Sequence, residues 1–309
     1  MARHEVPLWQ SIPFRAAVTA AALAATALPR RVELLAGRLL GRLLGLFARR
    51  HRAVTEDNLR RCLPELSEAE RGVLLRRNFE HFGILAFEIL HMFSPVPGHF
   101  RRYVEGISEL SGRENWEKAH AKGKGVLFTG NHVGNWEIVG AQAGLQGMDM
   151  TIVTRNLTPA WLHRAIVGAR LSVGVQSALP PKTLPMVLRA LRRGAAVVFA
   201  MDQYAAPDIG GIPARFFGYR VDTLGAIAVL ARKTGAAIVP GSSWRDEAGI
   251  VHVFVDPELE LGDAAADPAA ATQLIAGKVE SYIRAHPEQW TWGHRRWKHV
   301  DWLDRVPGV

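Results

Sequence analysis

The chain has 309 residues, 48% of them hydrophobic and 22% charged, with a formal net charge of +9 and a single cysteine. This is too apolar for a disordered chain and too polar for a multi-span membrane protein. One cysteine, Cys62, excludes an internal disulfide and a cysteine zinc cluster, while the positive charge leaves nucleic acid, anionic lipid and an acidic protein as partners.

Residues Ile12 to Leu28 form an Ala-rich apolar stretch interrupted by Arg15. It is short for a spanning helix, and a cleaved signal peptide is the alternative. Pro29 then breaks the chain before Arg31 to Arg49, which reads RVELLAGRLLGRLLGLFAR. On a helical wheel, Arg31, Arg38, Arg42 and Arg49 fall within about twenty degrees of one line. Leu35, Leu39, Leu43 and Leu46 lie mostly off it, and Leu40, Leu44 and Phe47 widen the apolar face. Such a helix suits the surface of an anionic bilayer; a core-packed helix with one solvated edge is the plainer reading. Residues 1–50 are therefore expected to be membrane-associating helices and 51–309 the main domain.

A further helix is expected from Arg49 to Leu63, ended by Pro64. The next begins at Ser67 with Glu70 at capping-box spacing, and runs to about His91 before Pro95 and Pro97. From there the pattern alternates. Apolar runs at Gly125 to Thr129, Met150 to Thr154, Ala195 to Ala200, Ala236 to Val239 and Ile250 to Val255 read as strands. Helical patterns lie at Pro159 to Leu171, Leu184 to Arg193 and Leu224 to Thr234. The expected class is α/β, a mixed, mostly parallel central sheet flanked by helices. Gly262 to Ala271 reads as a loop, Thr272 to Ala285 as a helix, and the tail from His286 to Lys298 is dense in Trp and cations. That tail fits base stacking, an interfacial aromatic belt, or Trp packed under an arginine cluster.

The most informative string is Asn131-His132-Val133-Gly134-Asn135-Trp136-Glu137, directly after the first apolar run. It predicts a strand, a tight turn that Gly134 permits, and a helix start. Folded together, an imidazole and a carboxylate make a general base with its orienting partner. Two other expected strand ends carry polar groups, Arg155 and Asp202-Gln203, and sites in such sheets gather at the carboxyl ends of strands. There is no Gly-x-Ser-x-Gly elbow and no Walker-type loop.

Gly130 to Glu137, the Asn58 to Ser67 segment with the Phe-rich helix after it, Arg155 with Arg170, Asp202-Gln203 before Pro213 to Gly218 (PARFFG), and the Pro287 to Lys298 tail together resemble the late acyltransferases of bacterial lipid A biosynthesis. The resemblance covers about Arg49 to Lys298. It implies a glycerolipid-acyltransferase-like fold and an enzyme on the cytoplasmic face of the inner membrane. Such an enzyme moves an acyl chain from an acyl-carrier-protein or coenzyme A thioester to a glycolipid hydroxyl, with no cofactor and no metal. It also implies His132 as base with Glu137 as its partner, and Arg170, Arg155, Asp202 and Gln203 in the substrate site with Asn131 and Trp136. Chemically, a hydroxyl attacking a thioester needs a base near neutral pH and donors for the oxyanion. Backbone N–H groups near Asn135 and Trp136, or an arginine, are the expected donors. With no Ser or Cys nucleophile in view, direct transfer without an acyl-enzyme is expected. The implied partners are an acyl-carrier protein, the anionic membrane surface and the glycolipid acceptor. A nucleic-acid-binding protein and a metal-dependent hydrolase are the competing readings; the arginine stripe fits a plane better than a groove, and no second His stands at ligand spacing near His132.

Overall fold

A computed structural model describes residues 12–300. The N-terminal helices are α1 (Ile12–Thr26), α2 (Arg30–Phe47), α3 (Arg49–Cys62) and α4 (Glu68–Leu90), followed by α5 (His99–Ile107). An alternating series follows: β1 (Ser108–Ser111), α6 (Arg113–His120), β2 (Val126–Gly130), α7 (Trp136–Leu145), β3 (Met150–Val153), α8 (Ala160–Ser172), β4 (Val175–Ala178), α9 (Thr183–Arg192) and β5 (Ala196–Ala200). Next come β6 (Gly211–Phe216), β7 (Tyr219–Leu224), α10 (Ala226–Thr234), β8 (Ala237–Arg245), β9 (Val251–Val255) and α11 (Pro268–Ala285).

Seven strands make one sheet in the order β1-β9-β8-β2-β5-β3-β4, and β6 pairs with β7 in a separate hairpin. Every pair in the large sheet is parallel except β8 with β9. The class is thus α/β with a mixed, mostly parallel sheet. Central β2 aligns Val126 with Ala196 of β5 and with Ala237 of β8. Its residues Val126 to Thr129 are buried on both faces, which is why a continuous apolar run encodes it. The carboxyl ends of β2, β3 and β5 lie along one edge, and the chain leaves each there into a polar segment.

Several elements were not expected from sequence. Strands β1 and β4 are short and carry polar residues, and the β6–β7 hairpin falls where no apolar run was read as a strand. The last long helix starts at Pro268, capped by Asp267, rather than at Thr272. The Ser67–Glu70 capping box forms as expected.

The α2 helix packs by a face that neither reading of its wheel singled out. Its core-facing line is a stripe of small residues, Gly37, Gly41 and Gly45, laid against α4. A Cβ on Gly41 would overlap the carbonyl of Phe79, and one on Gly83 of α4 would overlap that of Gly37, so the two backbones touch. The leucines therefore face outward: Leu35, Leu39, Leu43 and Leu46 are each about half exposed or more, and Phe47 is 79% exposed. Arg38 and Arg42 border this apolar face, and Arg42 pairs with Glu80 of α4 at 2.7 Å. Among the described residues, no helix is long and apolar enough to cross a membrane. Because the α2–α4 contact is backbone on backbone, Gly41→Val is expected to lower stability by about 1–3 kcal/mol through overpacking, read as a shift of the urea midpoint.

The C-terminal tail is core. Trp290, Trp292 and Trp297 are buried with Phe216 and Phe217 of the hairpin, and the Arg296 guanidinium lies over the Phe216 ring at 4.0 Å. Packing under an arginine is the arrangement adopted, and these rings have no face free for base stacking. Asn58 donates to the carbonyls of Trp292 and His294, and Asn78 to those of Glu288 and Trp290. Two amides on α3 and α4 thus donate to four tail carbonyls, of which those of Trp290 and His294 also accept a backbone N–H.

Candidate active site

The turn after β2 is built by hydrogen bonds to β8. Asn131 accepts from Val133 N and Ser242 Oγ through Oδ1, and donates to Gly241 O through Nδ2. Gly134 takes φ +66, and a Cβ there would meet the backbone of Ser243, so the position needs glycine for conformation and for space. Asn135 caps α7, its Oδ1 accepting from Glu137 N and Ile138 N.

This turn sets His132 at the carboxyl end of β2, its side chain one-fifth exposed. Its carboxylate partner is Asp202, from the end of β5. Asp202 Oδ1 lies 2.9 Å from His132 Nδ1, and Oδ2 accepts from His132 N at 2.8 Å and Trp290 Nε1 at 2.7 Å. An ionised carboxylate only accepts, so Nδ1 carries the proton and Nε2 is the basic nitrogen. Burial pushes the Asp202 carboxyl up, but the His132 charge and the hydrogen bonds from His132 and Trp290 outweigh it and hold it well below the usual range. Burial also works to lower the His132 pKa, yet Asp202, with a smaller push from Glu137, raises it above the ordinary value.

Glu137 does not take the hydrogen-bonding place beside the imidazole that the sequence suggested. It is engaged bidentately by Arg170 of α8, Nε to Oε2 at 2.9 Å and Nη2 to Oε1 at 2.6 Å. Two residues after the cap, its side chain swings toward α8, while Asp202 reaches the ring from the adjacent strand. Trp136 packs edge-on to His132 at 4.8 Å, and Gln203 Nε2 lies 3.4 Å from Nδ1.

His132, Trp136, Glu137, Arg155, Arg170 and Asn131 converge on one cavity of about 400 Å³. Its other walls are mostly hydrocarbon: Ile89, Val139, Met150, Ile152, Ile166 and Val198. Arg155 is exposed at its edge and makes no ion pair among the described residues. Asn131 contributes wall, but each end of its amide is already bonded within the protein. Asp202 and Gln203 stand behind the imidazole rather than in the cavity lining. The backbone donors also differ from expectation: the N–H groups of residues 132, 133, 134, 135, 137 and 138 are all taken by the protein. That leaves Trp136 N–H and the arginines as donors for a developing oxyanion. Trp290 escaped sequence reasoning as a site residue. The signal was present, since a buried indole N–H needs a partner and Asp202 is one.

The arrangement is a base with an orienting carboxylate, on the wall of a mostly apolar cavity, with the Glu137–Arg170 ion pair beside it. It can deprotonate a hydroxyl beside a bound hydrocarbon chain. Cys62 is buried in α3 and does not line this cavity.

Comparison with known proteins converges on the same chemistry. The family model of the bacterial lipid A biosynthesis acyltransferases matches residues 11–299. The lipid A biosynthesis lauroyltransferase of Escherichia coli (strain K12) is 30% identical over 266 residues, 84% of this chain and 83% of that protein. The palmitoleoyltransferase of the same strain is 27% identical over 283 residues, 88% and 86% of the two chains. A phosphatidylinositol mannoside acyltransferase of Mycobacterium tuberculosis (strain ATCC 25618 / H37Rv) is 26% identical over 246 residues, 78% and 75% of the two.

Proposed function

The chain belongs to the bacterial lipid A biosynthesis acyltransferase family, and from that premise we propose that it moves a fatty acyl chain from an acyl-carrier-protein or coenzyme A thioester onto a hydroxyl of a lipid A precursor. The observation that carries this reading is the His132–Asp202 pair at the head of a hydrocarbon-lined cavity. The donor's chain lies in the cavity with its thioester carbonyl at His132. As the acceptor oxygen attacks, Nε2 takes its proton, and Asp202 holds the ring in the productive tautomer and stabilises the imidazolium. Glu137 adds its charge to that stabilisation and fixes Arg170, which faces the oxyanion together with Trp136 N–H. Collapse of the tetrahedral intermediate breaks the C–S bond, and the thiolate leaves with the proton from His132. The products are an ester and a free carrier thiol.

Arg155, without an ion pair among the described residues and exposed at the cavity edge, is suited to a phosphate of the phosphopantetheine or of the acceptor. An acidic carrier protein is drawn by the net charge of +9. The outward leucines of α2, bordered by Arg38 and Arg42, support a seat on the anionic cytoplasmic face of the inner membrane, with the arginines at headgroup level.

The test is lipid mass spectrometry of cells whose own copy is replaced by His132→Ala. One lipid class lacking one acyl mass is expected, and its identity names the acceptor; a phosphorylated glucosamine lipid supports the reading, and a mannoside or other lipid would move the assignment within the family. Unchanged lipids would remove it.

A further inference from the structure

Behind the catalytic turn lies a buried carboxylate that the chemistry does not use. Glu88 of α4 is 1% exposed and receives four hydrogen bonds from three separate elements. Arg30 of α2 donates Nη2 to Oε1 at 2.6 Å. Arg245 at the end of β8 donates Nε to Oε1 at 2.7 Å and Nη2 to Oε2 at 2.5 Å. Asn135 donates Nδ2 to Oε2 at 2.8 Å.

The network is balanced. Arg30 also pairs with Glu33 at 3.1 Å, so two guanidinium groups face two carboxylates. Burial raises the Glu88 carboxyl pKa, but the two arginines more than reverse this and lower it to about 2, so it stays ionised. The Nη1 of Arg245 reaches His81 Nδ1 at 3.0 Å, and burial lowers that imidazole to about 3, leaving it neutral and able to accept.

The consequence lies in how Asn135 is held. One end of its amide, Oδ1, caps α7 at Glu137 N and Ile138 N; the other, Nδ2, is anchored on Glu88. A flipped amide would set its oxygen against an ionised carboxylate and its NH₂ against two backbone donors. Glu88 therefore dictates which way the cap faces. With Asn135 N bonded to Ser243 Oγ as well, the turn carrying His132 and the first turn carrying Glu137 are fixed in one relation.

We infer that Glu88 is a positioning residue for the acyl-transfer reaction, acting through Asn135 to hold His132 and the Glu137–Arg170 pair in register. This rests on the reading above. A misplacement of about 1 Å in such a constellation can cost about a hundredfold in rate, so a link of this kind matters without touching substrate.

The experiment uses Asn135→Ser, Glu88→Gln and the double variant in the full chain. Serine caps helices about as well as asparagine, so Asn135→Ser keeps the cap and cuts only the link to Glu88. With wild-type turnover of an acyl thioester established first, kcat of Asn135→Ser is expected to fall about tenfold or more with KM within about twofold, while the protein stays folded with Tm lowered by only a few degrees. Glu88→Gln is expected to lose kcat similarly, and the double variant no more than the worse single one, because both cut one link. A folded Asn135→Ser with wild-type kcat, or losses that multiply fully in the double variant, would overturn the inference. If Glu88→Gln does not fold, the kcat of Asn135→Ser decides alone. A wild-type protein that transfers no acyl group would instead overturn the functional reading.

Discussion

His132→Ala is expected to lower kcat by about ten-thousand-fold or more while KM for the thioester changes little. The apolar cavity holds the donor chain whether or not the imidazole is present, so ground-state binding survives. What is lost is the imidazole at its head, and among the described residues the cavity lining holds no other histidine. Fold should be retained: Asp202 keeps its bonds from the residue-132 N–H and Trp290, so removing the ring costs one of three hydrogen bonds, roughly 1–3 kcal/mol. Steady-state rates and a thermal melt check both halves. Labelled acyl chain trapped covalently on either protein after a rapid quench would contradict direct transfer.

Asp202→Asn is expected to be nearly as damaging, at about a thousand- to ten-thousand-fold in kcat, and to leave a signature in the pH profile. In the wild type, Asp202 outweighs burial and raises the His132 pKa. The base works only when neutral, so the acidic limb of kcat/KM should lie above the ordinary histidine value of about 6.5. Without the carboxylate, burial dominates and the limb moves to lower pH. An amide also lets residue 202 donate to Nδ1, which would place the proton on Nε2 and disable it. Rates across pH 5 to 9 for both proteins decide the point, and an unmoved limb would mean that Asp202 does not act through His132.

Much of the site was visible in the chain because local rules wrote it. The apolar run ending at Thr129 had to be buried on both faces, Gly134 had to supply a positive φ, and Asn135 had to cap the helix that follows. These features share a few residues and a few physical requirements. The pairing that organises the site was not local. Asp202 reaches His132 across 70 positions because β5 lies beside β2, and strand order is not written in periodicity. Glu137, five residues from the imidazole, was the natural partner in one dimension, yet a helix start turns it toward Arg170. The same distance hid Glu88, a charged residue in a Phe-rich helix that reads as a solvated position until its three donors are known. On α2 the wheel drew attention to arginine and leucine, whereas packing followed the glycines, because backbone contact with α4 admits only residues without side chains. Strands β1 and β4 are four residues each, too short and too polar for any period to show.

The most direct test of the central claim is mass spectrometry of the lipid product made by the purified full chain from an acyl-carrier-protein thioester and a lipid A precursor, beside His132→Ala. The account predicts an acceptor heavier by one ester-linked acyl group with the wild type, release of carrier thiol in equal amount, and neither with the variant. An acceptor of unchanged mass, or equal product from both proteins, would contradict it.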